Sequence, residues 1–160
     1  MKSINLNKVM LLKHQSECKK YPSMPPDYIP LYKYTDKTAN GLTRAICDFL
    51  NLSGCQAERI SSTGRMLDNT KIVSDVMGIK RSIGSTKYIK GTGTNGTADI
   101  SSTIMGYSVK IEVKIGKDRQ SADQKKYQEQ IELAFGQYWI AKTFDDFYEQ
   151  YEDFIKKNPR

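Results

Sequence analysis

Histidine, cysteine and long apolar runs are scarce in this 160-residue chain. The longest apolar stretch of note, Val9 to Leu12, is far short of the roughly 20 residues of a membrane span. The N-terminus has no apolar core followed by a small-residue cleavage site, so secretion is not expected. The three cysteines, Cys18, Cys47 and Cys55, are odd in number and form no CxxC pair. That argues against a disulfide framework and a zinc site and fits a reducing cytoplasm. His14, the single histidine, has no partner at metal-ligand spacing and reads as a surface residue. No internal repeat or low-complexity tract is present.

Acids are also in deficit. Lys and Arg number 25 against 18 Asp and Glu, and the shortfall is uneven. Asp145, Asp146, Glu149, Glu152 and Asp153 lie in the C-terminal segment, so residues 1–142 hold 22 basic and 13 acidic residues, a net +9. Between Arg59 and Lys90, seven basic residues face only Asp68 and Asp75. A local basic excess points to a polyanion partner, with nucleic acid first. Charge kept for solubility is the alternative.

Residues 1–37 read as an N-terminal extension. A short helix from about Asn5 to Lys19 precedes Pro22, Pro25, Pro26 and Pro30, which are interleaved with Tyr21, Tyr28, Tyr32 and Tyr34. Such proline density favours an extended clip or flexible arm. From Thr38, the spacing of Leu42, Ala45, Ile46, Phe49 and Leu50 predicts an amphipathic helix ended by Gly54. A strand is expected around Gln56–Ser61. Residues 62–90, with β-prone pieces at Lys71–Val76 and Thr86–Ile89, read as a basic hairpin or flap.

Alternation is clearest next. Ala98, Ile100, Ser102 and Ile104, then Val109, Ile111, Val113 and Ile115, predict a β-hairpin about Met105-Gly106. Ser121 and Gln124 form a capping box for a helix to about Phe135, ended by Gly136, with Tyr127, Ile131, Ala134 and Phe135 on one face. Gln137–Ala141 reads as a strand. Thr143 caps a last helix whose aromatic stripe, Phe144, Phe147, Tyr148, Tyr151, Phe154 and Ile155, is read as core. The sum is a mixed α/β domain.

With a two-residue turn at Met105-Gly106, cross-strand partners sum to 211. Ile100 then faces Ile111 and Asp99 faces Glu112. The apolar set takes one face; Asp99, Lys110, Glu112 and Lys114 take the other. Like charges directly opposed are destabilising, and a divalent cation between the two carboxylates would relieve them. Lys114, on the same face, would orient water or stabilise phosphate charge. A turn at Gly106-Tyr107 would instead set Asp99 against Lys114, and a three-residue loop would remove the site. A lone Glu-x-Lys pair is ordinarily a surface ion pair.

Asp99 followed by Glu112-Val113-Lys114 resembles the core of the PD-(D/E)XK nuclease superfamily. The stretch Gly96-Thr97-Ala98-Asp99, Glu112 to Lys117, Gln120-Ser121 and Gln124 to Tyr127 is similar to VRR-NUC-type domains and to archaeal Holliday-junction resolvases. The likeness spans about residues 40–147, leaving out much of 62–90, and 38–160 is taken as the nuclease-like domain. It implies a restriction-endonuclease-like core, a mixed central sheet flanked by helices. It also implies Mg²⁺ or Mn²⁺ on Asp99, Glu112 and the Val113 carbonyl, a catalytic Lys114, and a supporting Gln124, whose capping role is an equal alternative. Arg59 falls where relatives carry a basic residue near DNA. Tyr127 matches an aromatic position and is read as core. Where relatives often carry a glutamate on the first helix, this chain has Thr43, with Asn40 one turn earlier; Asp48 lies off that face.

Gly91-Thr92-Gly93-Thr94-Asn95-Gly96 matches GxGxxG, but a strand rather than a helix follows, so no nucleotide cofactor is expected. The reading that results is a metal-dependent DNA endonuclease, acting on branched, recombination or repair DNA by family analogy, in a bacterial or phage-infected cell. Arg59, Arg65, Lys71, Lys80, Arg81, Lys87, Lys90 and Lys110 would meet the phosphates. Resolvases act as dimers, which raises a homodimer. The rivals are a nuclease-fold DNA-binding module that does not cut, and an interaction protein using the Pro/Tyr-rich arm.

Overall fold

The computed structural model describes residues 4–61, 64–89, 91 and 93–159. The chain divides into two compact units, Met1–Ile60 with Gly96–Arg160, and Ser61–Asn95. The larger unit contains α1 (Leu6–Lys20), a 3₁₀ turn (Pro26–Tyr28), α2 (Ala39–Leu52) and β1 (Gln56–Arg59). The smaller unit contributes β2 (Arg65–Asp68), β3 (Lys71–Ser74), β4 (Lys80–Ile83) and β5 (Thr86–Ile89). The larger unit then resumes with β6 (Ile100–Ile104), β7 (Tyr107–Val113), α3 (Ala122–Leu133), β8 (Gln137–Ala141) and α4 (Phe144–Lys157). No helix among the described residues is long and apolar enough to cross a membrane.

The main sheet has the order β1-β6-β7-β8. Its first two pairings are antiparallel and β7–β8 is parallel, the strands joined through α3 as a parallel connection requires. The result is a mixed sheet flanked by helices. Met105 (φ 52) and Gly106 (φ 88) form the two-residue turn between β6 and β7, the twist-matched geometry for a tight hairpin. Ile100 pairs with Ile111 and Ile104 with Tyr107, the register expected from the alternation.

One sheet face is apolar. Ala57, Ile100, Ile104, Val109, Ile111, Val113, Trp139 and Ala141 pack there with Leu42, Ala45, Ile46, Phe49 and Leu50 of α2 and Phe144 and Phe147 of α4. Phe49 meets four rings, Phe144, Phe147, Tyr148 and Tyr151, edge-on at centroid distances of 5.2–5.9 Å, the favoured aromatic geometry. Thr38 caps α2 by accepting from the Gly41 amide, and Thr143 caps α4 by accepting from that of Asp146.

Three expectations are corrected. The N-terminal segment is part of the fold: Leu6, Val9 and Tyr34 are buried in the same core. The side chain of Asp145 accepts from the amides of Ile4 and Asn5, tying the segment to α4. His14 is half-buried, with Nε2 3.6 Å from the Cys18 sulfur and a buried Nδ1 that has no hydrogen-bond partner among the described residues. Finally, α3 buries no residue, Phe135 is 93 % exposed, and the helix ends at Leu133, with Phe135 (φ 58) rather than Gly136 in the left-handed position beyond it. Gly136 serves close approach instead: a Cβ there would stand 2.8 Å from Ile131 Cγ2.

In the smaller unit β2 pairs with β5 and β3 with β4, so residues 64–89 form one long hairpin with a break between two ladders. Strand β3 stops at Ser74, two residues short of the expected end. Asp75 Oδ1 accepts from the amides of Met77 and Ile79 and shapes the tip.

Candidate active site

The second face of the main sheet carries the polar residues. Strand alternation sends Lys110 and Glu112 of β7 away from the apolar core, and the ladder puts Tyr138 and Ile140 of β8 beside them. Continuing the β6–β7 register by one residue sets Asp99 across from Glu112. The Asp99 carboxylate is fixed by the chain itself: Oδ2 accepts from the Val113 amide at 2.9 Å, and the Asp99 carbonyl accepts from the Ile60 amide at 2.8 Å.

Part of this face is covered. Glu112 is 2 % and Lys114 7 % exposed. The cover is α3, and Gln124 is the residue that holds it there. Ser121 and Gln124 complete the capping box. The same Gln124 Oε1 accepts from Lys114 Nζ at 3.0 Å, while Nε2 donates to Glu112 Oε1. The two readings of Gln124, cap and site support, are therefore one arrangement. Gly96 makes it sterically possible: at φ +75, its Cα lies so close to Asp123 that a Cβ would be 2.4 Å from that residue's carbonyl.

Lys114 Nζ lies 3.1 Å from Glu112 Oε1 and 3.3 Å from Asp118 Oδ2. Tyr138 donates its hydroxyl to Glu112 Oε2 at 3.4 Å. Burial pushes the Glu112 carboxyl above its ordinary pKa, and the Asp99 charge pushes the same way; Lys114 and Tyr138 oppose them. For Lys114, burial lowers the pKa, but Glu112 and then Asp118 outweigh it and hold the ammonium above its usual value. The Tyr138 hydroxyl is raised by burial and then by the Glu112 charge.

Asp99, Glu112, Lys114 and Gln124 thus come together, with Val113 beside them through its amide. Tyr138 and Asp118 join the cluster without having been singled out. Alternation along β8 marks Tyr138 as sharing a face with Ile140, but only the parallel register brings that face to Glu112. Asp118 sits four residues beyond Lys114 in a loop, where periodicity carries no signal. Tyr127 of α3 meets the Tyr138 ring edge-on at 6.3 Å.

The nucleic-acid candidates are dispersed. Lys110 shares the Glu112 face and donates to Ser101 Oγ at 2.6 Å. Arg59 pairs with Ile100, which puts it on the opposite, core-side face, where it donates to Asn40 at 2.7 Å. Arg65, Lys71, Lys80, Arg81 and Lys87 are exposed in the smaller unit, but not on one face. In the outer ladder Lys71 and Arg81 take one side and Lys80 the other, and Arg81 faces Asp75 at 3.5 Å. Lys90 and Thr92 lie outside the described residues.

Thr43 is buried and donates its hydroxyl to the Ala39 carbonyl, so α2 supplies no acid there. Asp48 accepts from the Tyr34 hydroxyl at 2.6 Å and faces Arg44. Among the described residues no three His, Cys, Asp or Glu side chains gather as a metal site. Two carboxylates still fit a hard cation that keeps several waters, and the repulsion between Asp99 and Glu112 is what such an ion relieves. No family model, curated protein or solved structure matches this chain.

Proposed function

We propose that the chain is a metal-dependent endonuclease that hydrolyses phosphodiester bonds in DNA. The observation that carries the reading is the buried cluster at the end of the hairpin: Glu112 next to Asp99, with Lys114 in contact with Glu112 and both held by Gln124. Burying Glu112 and Lys114, with the half-buried Asp99 beside them, costs several kcal/mol per buried ion in stability, and a stabilising core would put apolar residues at these positions. Asp99 and Glu112 would hold Mg²⁺ or Mn²⁺, which when bound polarises a phosphate oxygen and acidifies a water. The Val113 amide fixes the orientation of Asp99 toward that position. Lys114 delivers positive charge where the phosphate gains negative charge, and Gln124 sets the direction of its ammonium. Branched DNA and a homodimer follow from family likeness alone and stand as part of the proposal.

Purified protein incubated with single-stranded, duplex, flapped and four-way-junction DNA in Mg²⁺, Mn²⁺ or EDTA should cut in a metal-dependent way that Lys114→Ala abolishes. No cutting of any substrate, with DNA binding retained, would replace the nuclease by a binding module. Thr43 favours that second reading, since α2 offers no further acid. Divalent ions should raise the melting temperature of the wild-type chain, as binding only the folded state requires. Asp99→Asn keeps an acceptor for the Val113 amide and should lose the rise; an equal rise in both proteins would place the ion elsewhere.

A further inference from the structure

Beside Lys114 the protein surface opens into a cavity of about 300 Å³ lined by Lys114, Asp118, Arg119, Gln120, Lys125, Ile140 and Lys142. That size is at the low end for ligand pockets. Its rim is basic and unneutralised. Arg119, Lys125 and Lys142 are exposed, and among the described residues none is in an ion pair. The one acid of the cavity, Asp118, is engaged by Lys114. On the far side of Lys142 the character reverses: Asp146, Glu149 and Asp153 of α4 line the adjoining cavity with Ile140 and Lys142. A polyanion approaching Lys114 is therefore drawn to the Arg119 and Lys125 side and repelled from α4.

We propose that this rim is a phosphate subsite, which seats the backbone phosphate next to the one held at Asp99 and Glu112. The inference rests on the nuclease reading for the identity of the neighbouring site, and it gives the DNA strand a path that the dispersed flap cations do not. Arg119 supplies a planar fork suited to a phosphate, and Lys125 and Lys142 supply point charges. Each cation that neutralises a backbone phosphate adds about 0.7–0.9 to the slope of log affinity against log salt.

The test is fluorescence anisotropy with a labelled single-stranded and a labelled duplex oligonucleotide in EDTA, over a salt series. Arg119→Ala/Lys125→Ala should lower the salt slope by about 1.5 and weaken binding about tenfold near 0.1 M salt. Lys33→Ala/Lys37→Ala removes the same charge from exposed positions outside the rim and should leave the slope unchanged; Arg119→Lys should keep it. Equal slopes in the rim variant and the wild type overturn the subsite, as does an equal loss in the control pair. Absence of any nucleic-acid binding by the wild type overturns it as well. A 5′-mononucleotide, run as competitor, separates the two sources of phosphate: rim-dependent binding of the mononucleotide with rim-independent binding of the oligonucleotides also overturns it. Cutting by both proteins with unchanged binding in the rim variant would sink the subsite and spare the nuclease. A lowered slope without cutting in any metal would do the reverse.

Discussion

Glu112 shows how one side chain ties stability to pH. Its carboxyl is raised by burial and then by Asp99, with Lys114 as the opposing cation. Removing Lys114 takes away that opposition, so the folded pKa of Glu112 rises further. An acid raised in the folded state is penalised when ionised. The penalty is absent below the unfolded pKa near 4.3 and complete above the folded one. Lys114→Ala should thus be close to wild type in urea melts at about pH 3.5 and destabilised by about 3 kcal/mol at pH 8, the cost of orphaning a buried charge. A gap of the same size at both pH values would contradict this. Asp99, Glu112 and Lys114 were legible in the sequence because period-two alternation and a tight turn together determine register. Gln124 was legible as a cap, through its three-residue spacing from Ser121. Tyr138 and Asp118 were not, since a parallel partner strand and a loop leave no local pattern.

At the scale of the element, the end of α3 separates two uses of glycine. Sequence reasoning assigned the helix stop to Gly136, the residue type that ordinarily takes the left-handed position. Phe135 takes it instead (φ 58), and Gly136 lets the chain pass close to Ile131. A side-chain-bearing residue in that conformation costs roughly 1–2 kcal/mol, and an exposed ring returns little packing. Phe135→Gly should accordingly raise stability by about 1 kcal/mol, and Gly136→Ala should lower it, both read from thermal melts. A destabilised Phe135→Gly would mean that the ring makes a contact in solution. The other helices were more legible. The stripes of α2 and α4 predicted their buried faces because both lie on the apolar side of the sheet, whereas α3 covers the polar side and follows no apolar stripe.

For the molecule as a whole, composition misled where burial is sparse. Four prolines and four tyrosines in residues 21–34 suggested an arm, yet a few well-placed residues, Leu6 and Val9 among them, anchor the segment in the core. Leu6→Ala should cost about 3 kcal/mol in a urea melt, as a fully buried leucine does; a cost near zero would restore the arm. The smaller unit should behave differently. The Ile60 amide and Asp99 carbonyl are hydrogen-bonded, so the chain leaves and re-enters the main sheet at nearly one point. Replacing residues 62–94 by a short Gly/Ser linker should leave a cooperatively melting protein with native helical circular dichroism. The helix that covers the candidate site has its own consequence. Because α3 buries no side chain and is held through Gln124, its cap and the edge-on Tyr127–Tyr138 contact, it should open more readily than α2 and α4. Its amides should exchange with deuterium well before those of α2 and α4, by a local opening that uncovers Glu112 while the sheet stays intact.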